Sequence, residues 1–178
     1  MTDFIPYINR RFLMSHPAHF IALGAGSGLS RLAPGTAGTL WAWAVFLLLQ
    51  LWLTPFQMGV LIAASTLVGW WACTVTARNM GVLDPGSIVW DEVVAFWLVL
   101  WLVTPTSLVG QALAFGLFRF FDAVKPGPVG WADRLFHERA SAGTPRAWRY
   151  AGLGIMFDDL VAAFCTLLVI ALWRHFIG

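Results

Sequence analysis

The chain has 178 residues, of which 59% are hydrophobic and only 11% charged. That balance excludes an ordinary soluble surface, and a formal net charge of +2 without a dense basic run gives no footing for nucleic acid. The expected fold is all-α: a polytopic integral membrane helix bundle in one domain, residues 1–178, with about five spanning or half-spanning helices and an N-terminal interfacial or re-entrant segment. The eleven tryptophans agree, because indole rings favour the boundary between hydrocarbon and headgroups.

In chain order, residues 1–19 are mixed and read as a surface segment, with Phe4, Ile5, Phe12 and Leu13 resting on lipid. No apolar run leads to a small-residue cleavage site, so no signal peptide is expected. Residues 20–29 are apolar but too short and glycine-rich to span, which makes them interfacial or re-entrant. Spans are expected near residues 39–54, 56–77, 88–103, 108–124 and 160–177. Thr54-Pro55 and Thr104-Pro105-Thr106 are tight breaks that fold the first four spans into two hairpins with uncharged tips.

The opposite ends receive Arg10, Arg11, Arg31, Arg78, Lys125, Arg134, Arg139, Arg146 and Arg149, so the positive-inside rule places the N-terminus and both long loops in the cytoplasm. Asp84, Asp91, Glu92, Asp122, Asp133, Asp158 and Asp159 fall on that same side. Cys73 and Cys165 lie in apolar runs without a His or Cys at ligand spacing and read as core residues. His16, His19, His137 and His175 are scattered and offer no nucleophile and base pair.

Four stretches carry chemistry. Gly26-Ser27-Gly28-Leu29 and Pro34-Gly35-Thr36-Ala37-Gly38-Thr39 run into the first span; their amides and hydroxyls either cradle phosphate or form an entry loop capped by Thr36 or Thr39. Ser87-Ile88-Val89-Trp90-Asp91-Glu92 sets two acids at the start of an oily helix, where Ser87 as N-cap is the plain alternative to a functional pair. In Arg119-Phe120-Phe121-Asp122 the base and acid are three apart on one face, with Lys125 continuing the stripe before Pro126. Gly154-Ile155-Met156-Phe157-Asp158-Asp159 places a second acid pair where a loop is expected to become a helix. Hard oxygen donors without His or Cys favour Mg2+, with Asp91, Glu92, Asp122, Asp158 and Asp159 as ligands.

Together these blocks, with Met80-Gly81, Lys125-Pro126 and Asp133-Arg134, make the chain resemble the phosphatidylglycerophosphatase A family over about residues 14–165. The resemblance implies a Mg2+-dependent enzyme of the bacterial inner membrane, with its site facing the cytoplasm, that removes the terminal phosphate of phosphatidylglycerophosphate. Asp91, Glu92, Asp122, Asp158, Arg119 and Lys125 are then the expected catalytic residues. Ser27, Gly28, Thr36, Gly38, Thr39 and Arg134 are the expected substrate-binding residues. Water, Asp91 and Asp158 all stand as attacking groups. Residues 138–150 read as an added cytoplasmic segment whose Arg139, Arg146 and Arg149 touch anionic lipid headgroups. The rival reading is a small transporter or channel subunit passing a cation or proton along intramembrane acids.

Overall fold

The computed structural model describes residues 8–141 and 147–176. Phe4, Ile5, Arg146 and Ile177 lie outside the described residues, as do the side chains of His137, Glu138 and Arg139. Every regular element among the described residues is a helix. These are α1 (Arg10–Met14), α2 (Pro17–Ala22), a tight 3-10 turn (Gly24–Leu29), α3 (Pro34–Leu49), α4 (Pro55–Met80), α5 (Trp90–Val103), α6 (Leu108–Val124), α7 (Pro128–Ser141) and α8 (Ala147–Phe176).

Local sequence explains where these helices begin and end. Proline opens α2, α3, α4 and α7, the position at which its missing N–H is not needed and its fixed φ is already helical. Thr54 and Gln57 form a reciprocal capping box at the start of α4, and Gly81 ends that helix at φ +71°, a left-handed conformation natural to glycine. Ser107 caps α6 by accepting from the Gly110 N–H at 3.2 Å.

Helix α5 is the axis of the bundle. Val93, Val94, Ala95, Phe96, Val99 and Leu100 are completely buried, so the helix is apolar all round. Helices α3, α4, α6 and α8 pack on it, α2 lies against α4, and α7 lies along α8. Phe96 stacks on Phe118 of α6 at 5.6 Å and meets Phe115 edge-on at 5.7 Å. Trp97 donates to the Ala42 carbonyl at 2.8 Å, Trp90 to the Ser65 carbonyl at 3.1 Å and Trp43 to Gln111 Oε1 at 2.7 Å, so these indoles pack without stranding their N–H groups.

Two helices, α4 and α8, are long and apolar enough to cross a membrane by length and composition. With 26 and 30 residues they measure roughly 39 and 45 Å at the helical rise of 1.5 Å per residue, against a hydrocarbon core of about 30 Å. The outer surface is correspondingly greasy, with Leu67, Leu113, Phe164, Leu168 and Trp173 all exposed.

The last helix departs from the sequence expectation. It starts at Ala147 rather than near residue 160, so Gly152 and Gly154 lie inside it and Asp158 and Asp159 sit well within a helix instead of at its start. The reason is packing. A side chain at Gly152 would strike Thr74 of α4, and one at Gly154 would meet the Cβ of Phe136 on α7 at 2.8 Å. These glycines bring helices together and do not break one. The segment read as an added loop is likewise helical at both ends, since α7 runs to Ser141 and α8 resumes at Ala147.

Two predictions follow from the packing. Gly152→Ala should destabilise the protein by about 1–3 kcal/mol through overpacking against α4, while Gly116→Ala on α6, where nothing lies within 4 Å, should stabilise it by about 0.5–1 kcal/mol through helix propensity. Thermal unfolding in detergent compares the two. At the N-terminal end His19 is buried, with Nε2 2.9 Å from Asn79 Nδ2 and Nδ1 3.1 Å from the Phe12 carbonyl. Burial, with a smaller contribution from His16, lowers its pKa against the opposing pull of that carbonyl. The neutral ring is therefore the folded form, and its contribution is complete above the ordinary histidine pKa and lost as pH falls through the lowered one. Unfolding midpoints measured from pH 8 down to pH 5 should fall more steeply for the wild type than for His19→Gln.

Candidate active site

Four helices bring charged side chains to one level of the bundle. Asp91 and Glu92 occupy the first turn of α5, where negative charge complements the helix dipole. The N-cap is Val89, which makes no side-chain cap, and Ser87 Oγ is buried without a hydrogen-bond partner among the described residues. The alternative in which Ser87 caps this helix is therefore not met.

Arg119 of α6 is the first cationic node. Its Nη1 lies 3.1 Å from Glu92 Oε1 and 2.5 Å from Asp122 Oδ2, and it donates to Thr39 Oγ1 at 3.3 Å. Thr39 is completely buried, and its hydroxyl donates to the Gly35 carbonyl at 2.8 Å. The start of α3 thus buttresses the guanidinium. Gly35 makes this possible, because a Cβ there would collide with Glu92 Oε1 and crowd both terminal nitrogens of Arg119.

Lys125 is the second node. It ends α6 in a left-handed conformation at φ +47°, unusual for a residue with a side chain and worth about 1–2 kcal/mol of strain. Its Nζ lies 2.6 Å from Asp158 Oδ2 on α8 and 2.5 Å from Asp133 Oδ1 on α7. Burial works against the ammonium, but the charges and hydrogen bonds of Asp158 and Asp133 outweigh it and raise the Lys125 pKa well above the ordinary lysine value. Lys125 stays protonated at any working pH.

The acids outnumber these cations. Glu92, Asp122 and Asp159 each present an oxygen such that the three lie within 4.8 Å of one another, and Asp91 is close enough to Glu92, Asp158 and Asp122 to feel their charge. Asp91 Oδ1, Glu92 Oε2, Asp158 Oδ1 and Asp159 Oδ2 are all buried and have no hydrogen-bond partner among the described residues. Such oxygens are costly unless something positive reaches them. A hard divalent cation fits the donor set, which contains oxygen only.

The other expected residues are placed elsewhere or differently. Ser27 donates to the Gly24 carbonyl at 2.9 Å and lines a cleft of about 550 Å3 with Arg10, Leu13, Met14 and Ser30, separate from the acids. Gly28 is buried against the Ser87 carbonyl, and Gly38 against Val89. Thr36 is half-buried in the first turn of α3, and Arg134 is exposed on α7. Gly35 and Asp133 join the site, although the sequence placed them only within the glycine-rich stretch and the Asp133-Arg134 block and gave neither a catalytic, substrate-binding or metal role. Gly35 had a signal in its place between Pro34 and Thr36, since a glycine in a helix's first turn invites the question of what approaches it. Asp133 had one only as part of the Asp133-Arg134 block, since its link to Lys125 depends on how α7 turns back.

The model of the family described as phosphatidylglycerophosphatase A matches residues 20–174. The phosphatidylglycerophosphatase A of Escherichia coli K12 is 39% identical over 157 residues, covering 85% of this chain and 80% of its own. That of Haemophilus influenzae is 37% identical over 161 residues, covering 90% and 91%. A protein of Bacteroides thetaiotaomicron, provisionally named phosphatidylinositol-3-phosphatase, is 34% identical over 165 residues, covering 89% and 94%. No solved structure matches the chain. Every acid and base of the two nodes lies inside the matched region, and the chain belongs to the phosphatidylglycerophosphatase A family of phosphatases.

Proposed function

We propose that this chain hydrolyses the terminal phosphate of phosphatidylglycerophosphate at the membrane surface, giving phosphatidylglycerol and inorganic phosphate. The observation that carries the reading is the convergence of Glu92, Asp122 and Asp159 beside Arg119, in a chain whose relatives are lipid phosphatases. Those three carboxylates would hold a divalent ion, Mg2+ by its hardness, with Asp91 and Asp158 beside them. When bound, the ion supplies Lewis-acid neutralisation of charge on the phosphoryl oxygens.

The chain's own residues do the rest. Arg119 offers a planar fork of N–H donors to the non-bridging oxygens, held at the right height by Asp122 three residues on and by Thr39 behind it. Lys125 offers a point charge on a short tether, fixed by Asp158 and Asp133. In the net hydrolysis the oxygen of water ends on phosphorus, the P–O bond to the glycerol oxygen breaks, and that oxygen leaves with a proton.

The lipid tails remain in the bilayer. The arrangement of greasy ends supports five spanning or half-spanning helices: Leu51, Trp52 and Phe56 at the α3–α4 tip, Leu102, Leu108 and Val109 at the α5–α6 tip, and Trp173 and Phe176 at the end of α8 are all exposed. Trp101 reaches the Pro55 carbonyl at 2.9 Å and Arg174 the Val103 carbonyl at 3.3 Å, so these three ends share one side of the bundle. The acids occupy the other side, which the arginine distribution assigns to the cytoplasm. The transporter reading has no relative behind it among these matches.

In detergent micelles the protein should release phosphate from phosphatidylglycerophosphate, lose that activity on chelation and recover it with Mg2+. Release from phosphatidylinositol 3-phosphate alone would move the substrate assignment to that of the Bacteroides relative. Asp159→Asn should abolish the Mg2+-dependent rate, and full activity in that variant would end the assignment. Arg119→Lys keeps the charge but loses the fork, so kcat/KM should drop by about 10²–10³-fold while the fold is retained.

A further inference from the structure

The entry to α5 is gripped from several sides just before it presents its acids. The Val89 N–H donates to the Ala22 carbonyl, at the end of α2, at 2.9 Å. The Val89 side chain is completely buried between two glycines. A Cβ at Gly38 of α3 would lie 2.7 Å from Val89 Cβ and 3.0 Å from its Cγ2, and one at Gly24 in the 3-10 turn would lie 2.8 Å from that same Cγ2. Gly28 of the same turn is closed against the Ser87 carbonyl, two residues earlier.

Trp90 is keyed into a different helix. A Cβ at Gly69 of α4 would lie 2.5 Å from Trp90 Cδ1, and the indole N–H donates to the Ser65 carbonyl at 3.1 Å. Consecutive helical side chains point about 100° apart, so two neighbouring side chains seated in separate notches set both the height and the rotation of the turn. We propose that Val89 is a positioning residue, a key in the Gly24 and Gly38 socket that places the Glu92 carboxylate for the divalent ion; this role rests on the ligand assignment of the proposed function.

The choice of residue supports the role. Val89 is the N-cap of α5, and no side chain caps the helix there. Valine is among the poorest N-caps, so the position is given up to packing. A β-branched side chain is stiff about χ1, which suits a key. Gly24, Gly28 and Gly38 gain a common purpose as well: they let the segment before the acids come close, where a side chain on any of them would push it away.

The test uses the full chain in neutral detergent. Mn2+ affinity, followed by the electron paramagnetic resonance signal of the free ion, reads the placement of Glu92, and phosphate release reads kcat. Val89→Ala half-empties the socket and Gly38→Ala overfills it; each should weaken Mn2+ binding and lower kcat by about tenfold or more, the usual effect of losing a group that orients a ligand. The double variant exchanges the volumes and should bind Mn2+ more tightly than either single variant. Gly59→Ala presses on Trp101 at the far end of α5, where a Cβ would lie 2.8 Å from Cζ2, and should lower the unfolding midpoint while leaving Mn2+ affinity unchanged. Single variants that lose thermal stability but keep wild-type affinity and kcat would overturn the proposal, as would additive losses in the double variant or an equal loss of affinity in Gly59→Ala. If Gly38→Ala does not fold, Val89→Ala against Gly59→Ala decides. A wild type that binds Mn2+ but releases no phosphate from phosphatidylglycerophosphate sinks the substrate reading alone, and the affinities still decide the role of Val89. A wild type with no Mn2+ that Glu92→Gln removes overturns both.

Discussion

Carboxylates that repel one another, held against an apolar core, are the constraint around which this molecule is arranged. Asp91, Glu92, Asp122, Asp158 and Asp159 face two cations, Arg119 and Lys125, across the ends of four helices. Each cation is divided between two acids, so neither node is neutral. Removing one member of a buried pair typically costs about 3–5 kcal/mol, because the partner is left charged and dry. A cluster with surplus negative charge is worse placed still, and is tolerated where the surplus has a use. On the proposed function that use is to gather the positive charge that a phosphomonoester dianion requires.

Much of the surrounding architecture follows from holding those oxygens close. Helix α5 is buried on every side, which fixes the level of its first turn and hence of Glu92. Gly35 lets the start of α3 come up against Glu92 and Arg119, and Thr39 then locks the guanidinium from behind. Lys125 adopts a backbone conformation that few non-glycine residues accept, and the gain is an ammonium placed between α7 and α8. Local strain at a working residue, offset by packing elsewhere, is a common feature of functional sites.

The sequence made the chemistry legible and the geometry less so. Acid pairs next to oily runs stand out in a chain with so few charges, and the three-residue spacing of Arg119 and Asp122 states their ion pair outright. The helix breaks at Pro55 and after Val103 were equally plain, since proline acts locally. What failed depended on long-range packing. Gly152 and Gly154 look like punctuation in isolation, and only the approach of Thr74 and Phe136 reveals them as places where helices touch. Thr39 reads as a phosphate donor in a glycine-rich stretch, whereas burial turns its hydroxyl toward the Gly35 carbonyl and Arg119. The reach of Lys125 to Asp133 could not be read either, because it depends on the path the chain takes after Pro126.

The misplaced start of α8 has a mechanistic meaning. Acids at a helix end ride on backbone that frays, while acids in the middle of a long helix are held by hydrogen bonds on both sides and by the packing of α4, α5, α6 and α7. Asp158 and Asp159 therefore have little freedom, and the node around each is completed by side chains from the neighbouring helices: Lys125 at the end of α6, Arg119 and Asp122 on α6, Asp133 on α7 and Glu92 on the first turn of α5. On the proposed function, rigid placement of these oxygens, with both cations held against them, limits the reorganisation left to do when a phosphate arrives. The same rigidity makes the two nodes dependent on one another, since any rotation of α8 that shifts Asp159 against Glu92 and Asp122 also shifts Asp158 against Lys125.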